Sequence, residues 1–92
     1  MAYMFVQHSV KDFEAWKSVF DSMSDVRKQA GEKSYQILRQ DNGSNGLAAL
    51  FEWDSLENAR AFASSPDLKA GMERAGVTSS PEILFLEEAA RG

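Results

Sequence analysis

The 92-residue sequence predicts an α+β fold in which four antiparallel strands and two helical segments follow one another in the order β-α-β-β-α-β. Three observations carry this prediction. Short apolar runs rich in aromatic and β-branched residues alternate with segments whose apolar residues recur every three to four positions. Two Asn-Gly pairs separate the second and third apolar runs, as in a hairpin. The last apolar run follows Gly76, which ends the second helical segment, and a loop over residues 77–81.

The first strand is predicted at residues 3–8 and the first helix at residues 13–30. The strand region combines aromatic with β-branched residues, and the helix region has the i, i+3, i+4, i+7 recurrence of an amphipathic helix. Asp12 is placed to cap this helix, and Gly31 suits the left-handed position after its end. The predicted apolar face is Phe13, Trp16, Val19, Phe20, Met23, Val26 and Ala30.

The second and third strands are predicted at residues 34–40 and 47–53. The sequence Asp-Asn-Gly-Ser-Asn-Gly at residues 41–46 lies between them, and its two Asn-Gly pairs supply the positive φ angles that a hairpin connection needs. These strands are therefore expected to be antiparallel neighbours.

The second helical segment is predicted in two parts. Asp54 followed by Glu57 resembles a capping box at the start of the first part, and Ser65-Pro66 restarts a short helix that ends at Gly76. The last strand follows at residues 83–86, with an extension to Glu87 as the alternative end. The four strands should form one antiparallel sheet with both helical segments on one face, which is the ferredoxin-like arrangement.

Composition narrows the functional classes. The chain is expected to be one domain, residues 1–92, and it has no cysteine, which excludes disulfides, thiolate metal sites and a Cys nucleophile. The net charge is −4 with scattered basic residues, so nucleic acid and membrane are poor partners. Residues 1–10 lack the pattern of a signal peptide. These features favour a cytoplasmic location.

Both faces of three predicted strands are apolar. The first strand places Tyr3 and Phe5 on one side and Met4 and Val6 on the other. Two helical segments can cover only one face of a sheet, and an uncovered apolar patch usually marks an interface or a ligand site. The sequence therefore predicts a homodimer that forms through the sheet.

Several motifs resemble a known family. They are His8-x-Val10-x-Asp12-Phe13-x-x-Trp16-x-x-x-Phe20, Phe51-Glu52-Trp53-Asp54-Ser55, Ser65-Pro66-x-Leu68 and Ala75-Gly76-Val77. With this order of elements, the chain resembles the dimeric α+β barrel superfamily, which includes antibiotic-biosynthesis-monooxygenase-like and small uncharacterised cyclase-like proteins. The resemblance implies a dimeric α+β barrel. It leaves the reaction open, because members include cofactor-independent oxygenases acting on polycyclic phenols, haem-degrading enzymes, isomerases and proteins without known activity.

The resemblance also bears on cofactors. Haem-degrading members have a Trp at the end of the third strand, here Trp53, and an amide on the first strand, here Gln7. They also need an iron-binding His on the second helical segment, where this chain has Met72. We therefore expect no haem and no other cofactor.

His8 is the only histidine and lies at the end of the first strand. It is a candidate general base because its ordinary pKa lies near neutral pH. The alternative is a structural role, in which it hydrogen-bonds the corner between strand and helix. A single His, with no thiol and no carboxylate cluster, makes a metal centre a poor hypothesis.

Four further residues are candidates for ligand binding. Tyr35 and Arg39 should share one face of the second strand, where a buried Arg39 would bind a carboxylate or an enolate oxygen. The alternative for Arg39 is a salt bridge with Glu52 on the next strand. Phe51 and Trp53 could wall a pocket for a flat ring, or be ordinary core residues.

These candidates define two functional hypotheses. In the first, a homodimer binds a small apolar or aromatic molecule and acts as a metal-free monooxygenase or isomerase. His8 would take a proton, Arg39 and Tyr35 would hold the oxyanion, and Phe51 and Trp53 would hold the ring. In the second, the protein is a non-enzymatic binding or interaction module whose barrel is packed shut.

Overall fold

Four antiparallel strands form one sheet in the computed structural model, which describes residues 1–43 and 45–92. The strands lie in the order β2-β3-β1-β4, and every neighbouring pair is antiparallel. The predicted order of elements and the predicted sheet are confirmed, and each strand begins one or two residues earlier than expected. The strands are β1 (Ala2–Ser9), β2 (Glu32–Arg39), β3 (Gly46–Trp53) and β4 (Glu82–Glu87).

The connection between β2 and β3 is the predicted antiparallel hairpin. Gly43 has a φ of +79°, as the first Asn-Gly pair requires. The second pair differs from the prediction, because Gly46 is the first residue of β3 and so belongs to a strand and not to the turn. Ser44, in the middle of the predicted turn, lies outside the described residues.

The helices are α1 (Phe13–Ser22), α2 (Ser24–Ala30), α3 (Leu56–Ala63) and α4 (Pro66–Ala75). The prediction of one helix over residues 13–30 is wrong, since the helix breaks at Met23, which has φ −96° and ψ 9°. The Ser22 hydroxyl donates to the Val19 carbonyl at 2.6 Å, a side-chain bond that competes with the helical ladder. Beyond the break Val26, which was predicted on the apolar face, is 37% exposed, and Arg27, for which no position was predicted, is buried.

Side chains cap the helices as predicted at two of three sites. Asp12 and Ser65 accept hydrogen bonds from backbone N–H groups three residues on, and so cap α1 and α4. The capping box at Asp54 is not formed. Ser55 caps α3 instead, and Asp54 accepts a bond from the side-chain amide of Asn58 at 2.9 Å.

Gly31 ends α2 with a φ of +126°, as predicted for this position. Its carbonyl accepts from the Asp54 N–H at 2.9 Å, which joins the end of α2 to the end of β3. A Cβ at Gly31 would overlap the Asp54 carboxylate, so both the backbone angle and the close approach require glycine.

The two faces of the sheet have different surroundings. Met4, Val6 and His8 of β1 are buried on the face that the helices cover. The opposite face, called the open face here, carries Tyr3, Phe5, Leu38, Leu50, Leu84 and Leu86. Leu38, Leu84 and Leu86 are 48%, 42% and 41% exposed. The helices therefore bury one apolar face and leave the other uncovered in the described part of the chain. No helix in this part is long and apolar enough to cross a bilayer.

Candidate small-molecule site

A cavity of about 60 Å³ lies between the sheet and the helices. Aliphatic and aromatic side chains form most of its wall, and His8 and Arg27 are its titratable residues within the described ranges. A planar or aliphatic molecule is the kind of ligand that such a wall favours. The wall residues are Met4, Val6, His8, Ala49 and Phe51 from the sheet, and Trp16, Val19, Phe20, Met23, Arg27, Phe62, Leu68, Gly71, Met72 and Ala75 from the helical layer.

His8 is buried at one end of this cavity. The residue is 6% exposed, and Nδ1 has no hydrogen-bond partner among the described residues. Burial lowers the pKa of His8 below its ordinary value of 6.5, because the charged imidazolium loses its hydration. The imidazole is therefore neutral at pH 7 and able to accept a proton.

Trp16 and Phe20 connect His8 to the other end of the cavity. The His8 ring meets Trp16 edge-on at 5.9 Å between centroids, and Trp16 stacks on Phe20 at 5.0 Å. The Arg27 guanidinium carbon lies 3.7 Å from the centre of the Phe20 ring, a close cation–π contact. The two polar side chains of the wall are thus separated by two aromatic rings.

Arg27 forms a buried ion pair with Glu32, the first residue of β2. Arg27 Nε donates to Glu32 Oε2 at 2.6 Å, and the two side chains are 4% and 2% exposed. Arg27 Nη1 also donates to the Phe20 carbonyl at 2.5 Å. Three groups therefore fix the guanidinium: a carboxylate, a carbonyl and an aromatic face.

The predicted ring-holding residues have different positions. Phe51 is 5% exposed and lies on the cavity wall. Trp53 is 1% exposed and packs against Phe62, with ring centroids 5.3 Å apart, but it is not among the wall residues. Its Nε1 has no hydrogen-bond partner in the described chain, so Trp53 is a core residue with an unpaired donor.

Tyr35 and Arg39 share one face of β2, as predicted, but neither lines the cavity. They pair with Phe51 and Leu47 across the hairpin, yet β2 is an edge strand and both side chains are exposed. Tyr35 meets the Phe20 ring edge-on at 4.9 Å. The expectation of a buried Arg39 is wrong.

The alternative salt bridge between Arg39 and Glu52 is also not formed. Glu52 lies on the open face and its carboxylate accepts from the Ser34 hydroxyl at 3.3 Å. The Arg39 guanidinium instead lies 4.2 Å from the centre of the Phe13 ring. Arg39 and Glu52 lie on opposite faces of the sheet and at different ends of the hairpin, so they do not pair.

His8 and Arg39 both line a second site, a polar depression of about 320 Å³ at the ends of the strands. Ser79 and Ser80, just before β4, also line it. His8 therefore lies between the apolar cavity and an open polar surface.

The residues compared with haem-degrading proteins do not converge on one site. Met72 lies on the cavity wall, Gln7 is exposed, and Trp53 is buried but is not part of the cavity wall. Within residues 1–43 and 45–92, no group of three or more His, Asp or Glu side chains could hold a metal ion.

The chain shares its fold with solved structures of low sequence identity. A variant of SnoaB, a cofactor-independent oxygenase from Streptomyces nogalater, matches with a TM-score of 0.75 and 19% identity, covering 98% of this chain and 94% of that one. A Bordetella bronchiseptica protein, provisionally described as an antibiotic biosynthesis monooxygenase, matches at 0.79 and 10%, covering 97% of each chain. NE2512 from Nitrosomonas europaea, a protein of unknown function, matches at 0.74 and 18%, covering 99% and 91%.

No family model matches the chain, and no curated protein sequence matches it. The fold defines an α+β protein of the ferredoxin-like class. More specifically, it is the fold of the antibiotic-biosynthesis-monooxygenase-like proteins, as the sequence motifs predicted. At these identities the likeness establishes the fold and leaves the activity to be argued from the site.

Arg27 and Glu32 were not among the site residues predicted from the sequence. A signal was present, because Arg27 lies seven residues after Phe20 and so falls on the same helical face as the apolar residues. A charged residue in that position is usually solvated, so the predicted apolar face included Val26 and not Arg27. The break at Met23 and the partner at residue 32 appear only in the folded chain.

Proposed function

We propose that the protein is a homodimer whose two sheets meet through their open faces and close a dimeric α+β barrel. The support is the apolar open face, on which Leu38, Leu84 and Leu86 are each more than 40% exposed. A contiguous apolar surface of this kind is uncommon on a monomer, and a two-fold axis would bury the same patch on both copies.

We further propose that each subunit binds a small apolar or aromatic molecule in the cavity between its sheet and its helices. The observation that carries this proposal is His8 Nδ1, a buried polar atom that has no partner among the described residues and belongs to a side chain of the largely apolar cavity wall. Buried polar groups in native proteins are nearly always paired, so an exception at a cavity suggests a ligand.

In this proposal His8 takes a proton from a phenolic or enolic ligand. Phe51 packs against the ligand ring, and the polar depression beyond His8 lets the proton reach solvent. Arg39 and Tyr35 do not line the cavity, so this proposal gives them no contact with the oxyanion, and the cation on the wall, Arg27, is already paired with Glu32.

Proton removal would prepare the ligand for reaction with dioxygen. The resulting carbanion is electron-rich and can transfer electrons to dioxygen without a metal or an organic cofactor. Oxidation of an activated methylene to a carbonyl consumes one dioxygen molecule and releases one water, so atoms and electrons balance. The fold shared with SnoaB, a cofactor-independent oxygenase, is consistent with this chemistry.

The cavity volume favours a second candidate function as well. Pockets for drug-sized ligands usually occupy about 300–1,000 Å³, and a cavity of ~150 Å³ is needed for benzene. At about 60 Å³ the cavity must widen before it takes an aromatic ring. Met23, Leu68 and Met72 are half-buried and flexible enough to move. If they do not move, the protein is a packed interaction module.

Ligand binding by the full-length protein separates the two functions. We would measure thermal stabilisation and dioxygen uptake with 1-naphthol, 1,4-naphthoquinone and haem, using wild type, His8→Ala and a Lys17→Ala control on exposed α1 surface. The oxygenase proposal predicts stabilisation by a phenol and dioxygen uptake that His8→Ala abolishes and Lys17→Ala retains. Stabilisation by none of these compounds would support the packed module.

A further inference from the structure

We infer that Arg27, held by Glu32, selects ligands that present an uncharged carbonyl oxygen and discriminates against carboxylates of the same shape. The inference rests on the proposed function, because it takes the cavity as the ligand site. It adds the chemical class of the ligand and the residue that recognises it.

The Arg27 guanidinium has more hydrogen-bond donors than its protein partners use. A guanidinium has five N–H donors. Within the described residues, Nε donates to Glu32 and Nη1 donates to the Phe20 carbonyl, which leaves three donors without a protein acceptor. The side chain is only 4% exposed and lies on the cavity wall. Arg27 Nη2 is not among the fully buried nitrogens that lack a partner, so it keeps accessible surface, and an accessible donor on the cavity wall favours a molecule with an acceptor oxygen at this end.

The charge of the Arg27 guanidinium is balanced by Glu32. Glu32 lies 2.6 Å from Arg27 and its side chain is 2% exposed, so the positive charge of the guanidinium already has a buried counter-charge. A ligand carboxylate would place two anions beside one cation in apolar surroundings. Burial of an uncompensated charge is strongly unfavourable. A ketone or quinone oxygen accepts the same hydrogen bonds without adding charge.

The fixed position of the Arg27 guanidinium also sets the orientation of a bound ligand. The guanidinium is fixed 3.7 Å from the centre of the Phe20 ring, and Phe20 stacks on Trp16. A carbonyl bound to Arg27 would place the apolar body of the ligand along these two rings. The opposite end of the ligand would then point towards His8, which meets Trp16 at 5.9 Å.

Three probes with the same arrangement of heavy atoms test this selection: acetophenone, its hydrocarbon isostere α-methylstyrene, and benzoate. Affinities would be measured at pH 7 by NMR titration of the isotope-labelled full-length protein. We expect acetophenone to bind about tenfold more tightly than α-methylstyrene, as one hydrogen bond to a charged donor implies. Benzoate should bind more weakly than either.

Variants assign the selection to the ion pair. The double variant Arg27→Met/Glu32→Leu removes both charges together, and we expect it to bind acetophenone and α-methylstyrene equally. Glu32→Gln leaves the guanidinium without its counter-charge, and should bind benzoate about tenfold more tightly than wild type does. Lys17→Met removes the cation of the exposed Lys17–Asp21 pair on α1 and should keep the wild-type preferences.

The outcomes distinguish this inference from the proposed function. If wild type binds the ketone and the hydrocarbon equally, carbonyl selection is rejected and the cavity remains the ligand site. A preference that persists in the double variant, or unchanged benzoate binding in Glu32→Gln, rejects Arg27 as the selecting residue. If none of the three probes binds, both the ligand site and the selection are overturned.

Discussion

Arg27→Met should lower the free energy of unfolding by about 3–5 kcal/mol, the usual cost of breaking a buried ion pair by removing one partner. The substitution would leave the Glu32 carboxylate, whose side chain is 2% exposed, without its partner at 2.6 Å. It would also remove the donor to the Phe20 carbonyl. Because small domains are stable by only about 5–15 kcal/mol, this is a large fraction of the total.

The double variant Arg27→Met/Glu32→Leu provides the comparison. It buries no charge and keeps similar side-chain volumes, so its free energy of unfolding should lie within about 1 kcal/mol of wild type, once the freed Phe20 carbonyl has found water or another donor. Urea unfolding at pH 7, followed by circular dichroism, measures both. A single-variant loss below about 1 kcal/mol, or a double variant as unstable as the single one, would refute the description of this pair as buried and mutually dependent.

Three further predictions concern other parts of the molecule. Because burial lowers the pKa of His8, the unfolded chain binds more protons than the folded chain does below pH 6.5. The stability of wild type relative to His8→Asn should therefore be constant above pH 6.5 and fall as the pH drops through the lowered value. Parallel pH profiles of the two proteins in urea unfolding would contradict this. Gly31→Ala should cost about 1–3 kcal/mol from its positive φ, plus the overlap with Asp54, whereas Gly43→Ala, which meets nothing within 4 Å, should cost less in the same assay. If the wild type is the proposed dimer, Leu50→Lys on the open face should make it a monomer in light scattering, and a wild type that is monomeric at micromolar concentration would reject the proposed dimer.

The fold was predictable because its signals are local. The strands, the hairpin and the caps at Asp12 and Ser65 each depend on a few neighbouring residues, and all were recovered. The end of α2 at Gly31 was recovered for the same reason. The break at Met23 was missed because the apolar spacing continues through it, and periodicity does not register a change in backbone direction.

The candidate site was predictable only in part. His8 and Phe51 were chosen from their places on strands, and both lie on the cavity wall. Arg39 was expected inside because it shares a face with buried neighbours, but an edge strand leaves such a side chain in solvent. Arg27 was missed because its burial depends on Glu32, and a charge pair between two elements has no signature in either segment alone.

The break at Met23 also bears on two properties of the proposed site, the size and the charge of the ligand that it accepts. Met23 lies against Gly71 of α4, where an added Cβ would overlap its sulfur, and both residues line the cavity. Met23 is bonded to Arg27 through the backbone, where its carbonyl accepts from the Arg27 N–H at 3.0 Å, and neither side chain carries a charge. Substitution at position 23 or 71 would therefore alter how large a molecule enters, while Arg27 and Glu32 continue to decide its charge. The joint between two short helices gives this small domain a means of evolving size selectivity and charge selectivity independently.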